Sequence, residues 1–508
     1  LMPDCRGDVS ACRASARADD TTHAGAAREK RNQNHPEARR PSRSRDRFDR
    51  RRGRPLRSRP FVTRHDPADA RDREAIQHRD SRRDAEPQPV PQHRRARGHD
   101  HHAATHRAFG MSALLPELAA DSDARRLDEA AHAVAQIAAQ HADAVDRDAR
   151  CPVEAIEAMR ARRLLGAMVP THLGGVGASL EDIASACSIL GQACASSAMV
   201  FAMHQIQVAC IVDHAADQGW HKLFLQQLVR HQWLLASATS EDGVGGNLRA
   251  SQCALETSGG EFRLRKSAPT ISYGDYADGI LATARRDADA PASEQVLVTL
   301  LRDGYTLTRR GEWDTLGMRG TCSNGFELDA HGAAVQCLPV PFAKIAEETM
   351  VPVSHILWAA VWIGVAGDAF HRAHQFFRAQ ARQTDGAPSP ASRRIAESLA
   401  LMQAMQARVD NVLRLHANPA SRSWSAGMAR AAEINTLKTY VSTTALEVAH
   451  QAMMICGMAG YKQGTPFSIG RHIRDLHAAP LMISNDRIAV NTSNLLLALR
   501  PATLEKHT

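Results

Sequence analysis

The chain has 508 residues, more than a single hydrophobic core usually supports, so we expect several domains. Its net charge of +8 comes from residues 1–110, which hold 27 basic and 16 acidic side chains against 36 and 39 in the remainder. The ten cysteines show no CxxC pair and no His/Cys ligand spacing, which excludes a disulfide scaffold or zinc site and predicts a reducing, cytoplasmic location.

Residues 1–110 are rich in Arg, Asp, His and Pro and nearly lack Leu, Ile and Val. Such a segment buries too little apolar surface to offset its chain entropy, so we expect disorder. An Arg-rich tail could bind nucleic acid, but its charges alternate in sign and no aromatic residues are interleaved for base stacking, so no nucleic-acid partner is predicted. Because Met111 directly precedes the first ordinary-looking sequence, we interpret this segment as translated upstream sequence, with the nucleic-acid-binding tail as the alternative.

Residues 112–235 are predicted to form an N-terminal helical domain. Apolar residues recur at helical spacing over Leu127–Val145 and Pro152–Leu165. Ser179 begins a capping-box pattern, which predicts one long helix through Ala202, and helical spacing continues to about Gln232. The chain contains no run of about 18 apolar residues, so neither a transmembrane helix nor a membrane partner is predicted.

Residues 236–342 are predicted to form a small antiparallel β-barrel or sandwich, because short β segments alternate there with turn residues. Ser258–Glu261 has the composition of a hairpin turn. The predicted strands are Cys253–Thr257, Glu261–Leu264, Gly279–Ala284, Gln295–Leu301, Tyr305–Arg309 and Gly325–Leu328. Helical spacing returns over residues 353–508 and predicts a C-terminal four-helix bundle, so the fold class is α+β.

The stretch with the strongest functional pattern joins the first two domains. A hydroxyl-rich strand leads to Ser240–Asn247 (SEDGVGGN), whose glycines permit positive φ and close approach of backbone amides to a ligand. A return strand then carries Thr270 and Ser272, so the two pieces could direct hydroxyls at one flat, polar-edged ring. The alternative is a surface hairpin with an ordinary glycine turn.

Three motifs, in order, resemble the acyl-CoA dehydrogenase family of FAD flavoproteins over residues 112–508. Ser240–Asn247 resembles the family's TEPGAGSD loop, and Trp313–Ser323 (WDTLGMRGTCS) resembles its LGMRG(S/T) segment. Cys456–Tyr461 (CGMAGY), followed by Pro466 and Arg474-Asp475, resembles its GGxGY…P…RD run. The resemblance implies an FAD enzyme that acts on the CH–CH group of an acyl-CoA or acyl-carrier substrate and passes electrons to an electron-transfer flavoprotein.

The same resemblance assigns the flavin edge to Ser240 and Ser272. Thr270 stands where the family usually has a tryptophan against the ring, and Gly246 replaces a serine that contacts the CoA portion of the substrate. Arg319 of the second motif is the other substrate contact that the resemblance implies.

Arg382, followed by Gln383-Thr-Asp-Gly, resembles the arginine that reaches the FAD pyrophosphate of a neighbouring subunit. The alternative is a cation favoured by the dipole at a helix C-terminus. Gly457 and Gly460 are expected to face the same dinucleotide, which implies a homo-oligomer, either a dimer or a tetramer.

The catalytic base of the family is missing at both of its usual positions. The glutamate expected nine residues after Arg474 is Ile483, and the alternative position falls near Gln383. A carboxylate is the natural base for removing an α-proton. Asp486 is the nearest acid, either as the base or as an acid in the first turn of a helix capped by Ser484 or Asn485, and a surface His477 is a further candidate.

The missing base raises two alternatives to a dehydrogenase. Some relatives with this fold are flavin-dependent monooxygenases, which use reduced flavin and O₂ and need no carboxylate base. The other alternative is a non-catalytic relative that binds flavin or an acyl group. No metal site is predicted.

Overall fold

The structure is a computed structural model that describes residues 115–245, 247–383, 391–417 and 424–499. The N-terminal segment 1–110, with its predicted disorder, and Gly246 lie outside the described residues. Within these residues five α-helices come first, then seven strands, then seven further α-helices, which is the order of regions predicted from the sequence.

The first five helices form a bundle whose packing the sequence predicts only in part. They are α1 (Leu115–Arg147), α2 (Val153–Ala161), α3 (Leu180–Ala193), α4 (Ala195–Ala215) and α5 (Gly219–His231). The predicted capping box is confirmed, because Ser179 and Asp182 exchange side-chain and backbone hydrogen bonds at the start of α3. The prediction of one long helix through Ala202 is wrong, because Cys194 adopts an extended conformation with φ −154° between α3 and α4.

The middle of the chain folds into two small sheets. The strands are β1 (Leu235–Ala238), β2 (Leu255–Ser258), β3 (Glu261–Ala268), β4 (Gly279–Arg285), β5 (Gln295–Leu301), β6 (Tyr305–Gly311) and β7 (Gly325–Ala333). One sheet has the order β1-β4-β5 and the other β2-β3-β7-β6. The predicted hairpin turn joins β2 to β3, with Gly259 and Gly260 both at positive φ.

The expectation of a wholly antiparallel middle domain is wrong for one pair of strands. β1 runs parallel to β4, with Leu235 beside Gly279, because the chain leaves the first sheet after β1, forms the β2–β3 hairpin in the second and then returns. The glycine-rich loop after β1 therefore spans the two sheets. Its Asp242 N–H donates to the carbonyl oxygen of Ser267 at the end of β3, with an N–O distance of 3.0 Å.

The last helices form a bundle that packs against helices α3 and α4 of the N-terminal region. They are α6 (Phe342–Ile345), α7 (Val351–Gln383), α8 (Ala391–Ala417), α9 (Trp424–Cys456), α10 (Met458–Tyr461), α11 (Gly470–Leu476) and α12 (Asn485–Ala498). Helices α7, α8, α9 and α12 make up the predicted four-helix bundle, with α9 packed against the other three. Helical structure begins at Phe342, earlier than the predicted position 353.

Two apolar helical stretches pass the length and composition test for crossing a bilayer, contrary to the expectation from the sequence. They are Ala195–Ala215 and Phe342–Gln383, and 89% of the apolar window of each is buried within the fold. Their apolar side chains pack in the protein core, as those of other buried helices do.

Candidate functional site

The glycine-rich loop is anchored by a buried ion pair. Glu241 and Lys266 of β3 lie 3.4 Å apart, with side chains 5% and 0% exposed. Glu241 also accepts hydrogen bonds from the Ser251 hydroxyl and from the N–H groups of Gln252 and Cys253. Burial raises the pKa of Glu241, but the Ser251 hydroxyl and the charge of Lys266 outweigh burial and hold that pKa below its ordinary value. Glu241 is therefore an ionised structural anchor.

The predicted hydroxyls of the first pair come together beside this anchor. The Ser240 hydroxyl donates to the carbonyl oxygen of Thr270 at 2.7 Å, and the Thr270 hydroxyl donates to Ser240 Oγ at 3.3 Å. Both residues are half-buried, so this pair is held in place yet accessible to a ligand. Since Ser240 follows β1 and Thr270 follows β3, one pair of hydroxyls joins the two sheets.

Ser272 belongs to a second chain of hydroxyls. Its Oγ lies 2.7 Å from Ser323 Oγ, which lies 2.9 Å from Thr321 Oγ1, and Thr321 donates to the carbonyl oxygen of Met318. A hydroxyl has one proton to donate, so Ser323 donates to Thr321 and Ser272 donates to Ser323. Ser272 therefore keeps its lone pairs to accept a hydrogen bond, for instance from a ring N–H.

A cleft of about 390 Å³ runs beside these hydroxyls. Thr270 and Ser323 supply polar wall atoms, while Pro269 and Trp313 supply apolar surface. Asp242 and Arg310 stand at its exposed edge, paired at 2.9 Å. The volume and the mixture of flat apolar wall and few polar groups are typical of small-molecule sites.

The second and third motifs interlock. Met318 N–H donates to the buried carboxylate of Asp475 at 2.7 Å, and a Cβ at Gly317 would collide with the backbone of Arg474. Arg319 donates to the carbonyl oxygens of Asp146 and Thr315 at 2.8 and 2.9 Å, so its guanidinium joins this loop to α1. The predicted contact between Arg319 and a substrate stays a prediction.

The residues predicted for the dinucleotide end lie on the bundle. Arg382 is exposed in the last turn of α7. Gly457 has φ 55° and open space where a Cβ would stand, whereas a Cβ at Gly460 would crowd Cys456 at 2.7 Å. The segment beyond α9 packs on α7, because Arg372 of α7 contacts the carbonyl oxygens of Pro466 and Ser468. Their role at a pyrophosphate stays a prediction.

The candidate bases lie around the start of α12. Ile483, at the position of the family's glutamate, has φ 44°. Asp486 is exposed in the first turn of α12, and Ser484 occupies the N-cap position without a capping hydrogen bond from its side chain. His477 lies edge-on to His450, with ring centres 5.8 Å apart, and Gln383 is exposed at the end of α7.

Helix α12 nonetheless reaches the glycine-rich loop. Arg487 donates to the carbonyl oxygen of Gly245 at 2.7 Å, so Asp486 is next to a residue that contacts the loop. Gly246, which replaces the family's serine, lies outside the described residues. Gly243 and Gly245, which precede it in the loop, have φ values of 84° and 59°, as predicted for a loop that needs glycine.

These groups fit the ring system of a flavin. Hydroxyls of Ser240, Thr270 and Ser272 supply hydrogen-bonding atoms for a polar edge, and the cleft wall with Trp313 supplies apolar surface for a ring face. The sequence did not predict that Ser323 belongs to the hydroxyl chain, nor that Glu241 and Lys266 form a buried pair. The hydroxyls of Thr321 and Ser323 directly follow the LGMRG segment, and this position in the motif could have identified them.

Comparison with known proteins identifies the family. The model of the acyl-CoA dehydrogenase N-terminal domain matches residues 121–232, and that of the C-terminal domain matches residues 344–483. The chain belongs to the acyl-CoA dehydrogenase family. The family and fold predicted from the sequence are confirmed, and the expected flavin cofactor agrees with them.

Relatives within this family have different activities. The chain is 25% identical to the amino sugar nitrososynthase DnmZ of Streptomyces peucetius, over 66% of this chain and 84% of that protein. It is also 25% identical to cyclohex-1-ene-1-carbonyl-CoA dehydrogenase of Syntrophus aciditrophicus, over 68% and 82%. Among solved structures, FMN-bound TdsC of Paenibacillus sp. A11-2, a dibenzothiophene monooxygenase, matches with a TM-score of 0.67 at 20% identity, covering 74% of this chain and 98% of that one. That last likeness concerns the fold alone.

Proposed function

We propose that this protein is a flavin-dependent monooxygenase that uses reduced flavin and O₂ to oxygenate a small organic substrate. The main observation in support is that Ile483 and Gln383 occupy the two positions where a dehydrogenase of this family would hold its carboxylate base. The relative named as a nitrososynthase supports this choice, since oxygenation does not begin with removal of an α-proton.

When bound, reduced flavin supplies two electrons, so that one atom of O₂ enters the substrate and the other leaves as water with two protons. The protein's own part is to position and shield. The hydroxyls of Ser240 and Ser272 orient the polar edge of the ring, and the wall of Pro269 and Trp313 keeps water from one side of the cleft. Excluding water protects reactive species from side reactions.

A dehydrogenase acting on a CH–CH group of an acyl-CoA is the second candidate. It is favoured by the matched family models and by the position of Asp486 beside Arg487, which contacts the glycine-rich loop. Asp486 would need to turn from solvent into the site to act as the base, since its side chain is exposed. Under this candidate an electron-transfer flavoprotein would accept the electrons, whereas the monooxygenase requires a supply of reduced flavin.

The cofactor under this proposal is FAD or FMN, held by a homo-oligomer. If Arg382 and Gly457 serve a partner subunit's dinucleotide, FAD gains a pyrophosphate contact that FMN lacks. An arginine is suited to a diphosphate because its planar fork donates two parallel hydrogen bonds.

Equilibrium binding of oxidised and reduced FMN and FAD, measured without oxygen, tests the proposal. We expect the reduced form to bind at least about tenfold more tightly, which corresponds to roughly 1.4 kcal/mol. The variant Ser272→Ala should weaken binding about fivefold, as expected for loss of one hydrogen bond of roughly 1 kcal/mol.

Ser398→Ala is the matched control, because Ser398 is buried on α8 and donates to the carbonyl oxygen of Arg394 within its own helix. It should leave flavin affinity unchanged. Equal affinity for both redox forms would contradict the monooxygenase, and absence of binding by any flavin would contradict the assignment of the cleft.

A further inference from the structure

A buried lysine lies beneath the segment that replaces the family's catalytic glutamate. Lys438 of α9 is 0% exposed, and its Nζ donates to Asn485 Oδ1 at 2.7 Å and to the carbonyl oxygen of Ile483 at 3.3 Å. Its Nζ also lies 5.7 Å from the centre of the Trp362 ring. No carboxylate among the described residues pairs with it, so the two oxygen acceptors and the Trp362 ring compensate its burial.

Asn485 is the residue through which α9 holds the start of α12. Its Oδ1 accepts from Lys438, and its Nδ2 donates to Ser442 Oγ at 3.0 Å. Lys438 and Ser442 are four residues apart and so lie on one face of α9. A second contact follows two turns later, where Asn435 Nδ2 donates to Asn491 Oδ1 at 3.1 Å. These contacts fix both the position and the rotation of α12.

The contact with Ile483 has a specific mechanical consequence. A β-branched residue at φ 44° is a rare and strained conformation that costs roughly 1–3 kcal/mol. Such strain persists only where surrounding contacts enforce it. The bond from Lys438 to the Ile483 carbonyl oxygen is one such contact, and it precedes the helix start by two residues.

The first turn of α12 in turn contacts the glycine-rich loop. Arg487, two residues beyond Asn485, donates to the carbonyl oxygen of Gly245 at 2.7 Å. A Cβ at Gly245 would meet open space on its side of the backbone. Glu241 and Asp242 anchor the beginning of the loop, and Arg487 is a separate contact that holds its Gly245 end.

We propose that Lys438 is a positioning residue for the flavin site: through Ile483 and Asn485 it sets the first turn of α12, whose Arg487 holds the glycine-rich loop. The role in flavin binding rests on the proposed function, whereas the mechanical coupling does not. Burial lowers the pKa of Lys438 to about 8, so the side chain is mainly an ammonium at neutral pH. Charge-assisted hydrogen bonds from it are about twice as strong as neutral ones.

Hydrogen exchange of the loop amides at 243–248 in the flavin-free protein tests the coupling. Lys438→Met and Arg487→Met should each raise exchange about tenfold, and the double variant should raise it no further, because both act through one path. Asn485→Asp should retain the protection of the parent, since its carboxylate still accepts from Lys438. The control is Lys222→Met, at an exposed position on α5. In a double variant its effect on loop exchange should simply add to that of Arg487→Met, because the two residues act independently.

The outcomes separate this inference from the proposed function. If Lys438→Met leaves loop exchange unchanged, or if its effect and that of Arg487→Met are additive, the positioning role is contradicted even when flavin binds. If the coupling is present but no flavin binds, the inference about the loop survives and the proposed function fails. If Lys438→Met does not fold, the variants Arg487→Met and Asn485→Asp decide. The proposal is overturned if Arg487→Met leaves loop exchange unaltered, or if Asn485→Asp loses the protection of the loop amides.

Discussion

At the scale of single residues, the site depends on buried charges that hold the polar loops. Lys266 of β3 donates to the carbonyl and hydroxyl oxygens of Thr283 at 2.8 and 2.9 Å while it pairs with Glu241. This arrangement connects the glycine-rich loop, β3 and β4. A buried pair adds little net stability when complete, but leaves an uncompensated charge when one partner is removed.

We predict that Lys266→Met lowers the free energy of unfolding by about 3–5 kcal/mol, because it leaves Glu241 buried without its cation. Urea denaturation of the two proteins measures this difference. Lys222→Met is again the control and should change stability by less than about 0.5 kcal/mol, as is usual for surface substitutions. A loss for Lys266→Met no larger than that of the control would show that the pair does not anchor the loop.

The residues of the candidate site could be predicted from sequence in part. Ser240, Thr270 and Ser272 were identified from spacing and resemblance, and the structure brings Ser240 and Thr270 into contact. The pairing of Ser272 with Ser323 could not be anticipated, because it joins residues 51 positions apart through a fold that spacing does not describe. Lys438 carried no local signal, since it sits in an ordinary helical pattern.

At the scale of elements, the packing of α3 against α7 depends on two glycines. A Cβ at Gly191 would lie 2.5 Å from the carbonyl oxygen of Val361, and a Cβ at Gly364 would collide with the carbonyl oxygen of Ser188. The backbones of the two helices therefore touch at this crossing. This contact fixes the N-terminal helices to the bundle that forms the other side of the molecule.

We predict that Gly364→Ala lowers the free energy of unfolding by about 2 kcal/mol or more, since overpacking a close contact forces backbones apart. Gly367→Ala, one turn further along α7, is a matched control because its Cβ would meet Met402 at an ordinary 3.7 Å. That control should be neutral or gain about 0.5–1 kcal/mol from the better helix propensity of alanine. Thermal or chemical denaturation of both variants measures the contrast, and equal effects would contradict the close crossing.

Element boundaries show where sequence reasoning stops. Strand Gln295–Leu301 was predicted with its observed limits, because an apolar run between turn residues is a strong local signal. The break at Cys194 had no such signal: no proline directly precedes it, and the nearby Gly191 lies inside α3 at the crossing with α7. The parallel pairing of β1 with β4 likewise depends on which sheet the intervening hairpin joins.

At the scale of the whole molecule, loops of the middle β region line the proposed flavin cleft, and the helical bundle contacts one of these loops through Arg487. The order of helical, β and helical regions was predictable, because the spacing of apolar residues within a short stretch indicates whether that stretch is helix or strand. The chemistry was less predictable, because members of one family perform different reactions on one fold. We base our choice between these reactions on the absence of a carboxylate at Ile483 and Gln383.

The central claim is tested most directly by adding a panel of acyl-CoA substrates to the protein loaded with oxidised flavin, without oxygen, and following the visible absorbance of the flavin. We predict that no acyl-CoA bleaches it, because no group at the usual positions can remove the α-proton. Bleaching by any member of the panel would contradict the monooxygenase and establish a dehydrogenase, and its loss in Asp486→Asn would identify the base.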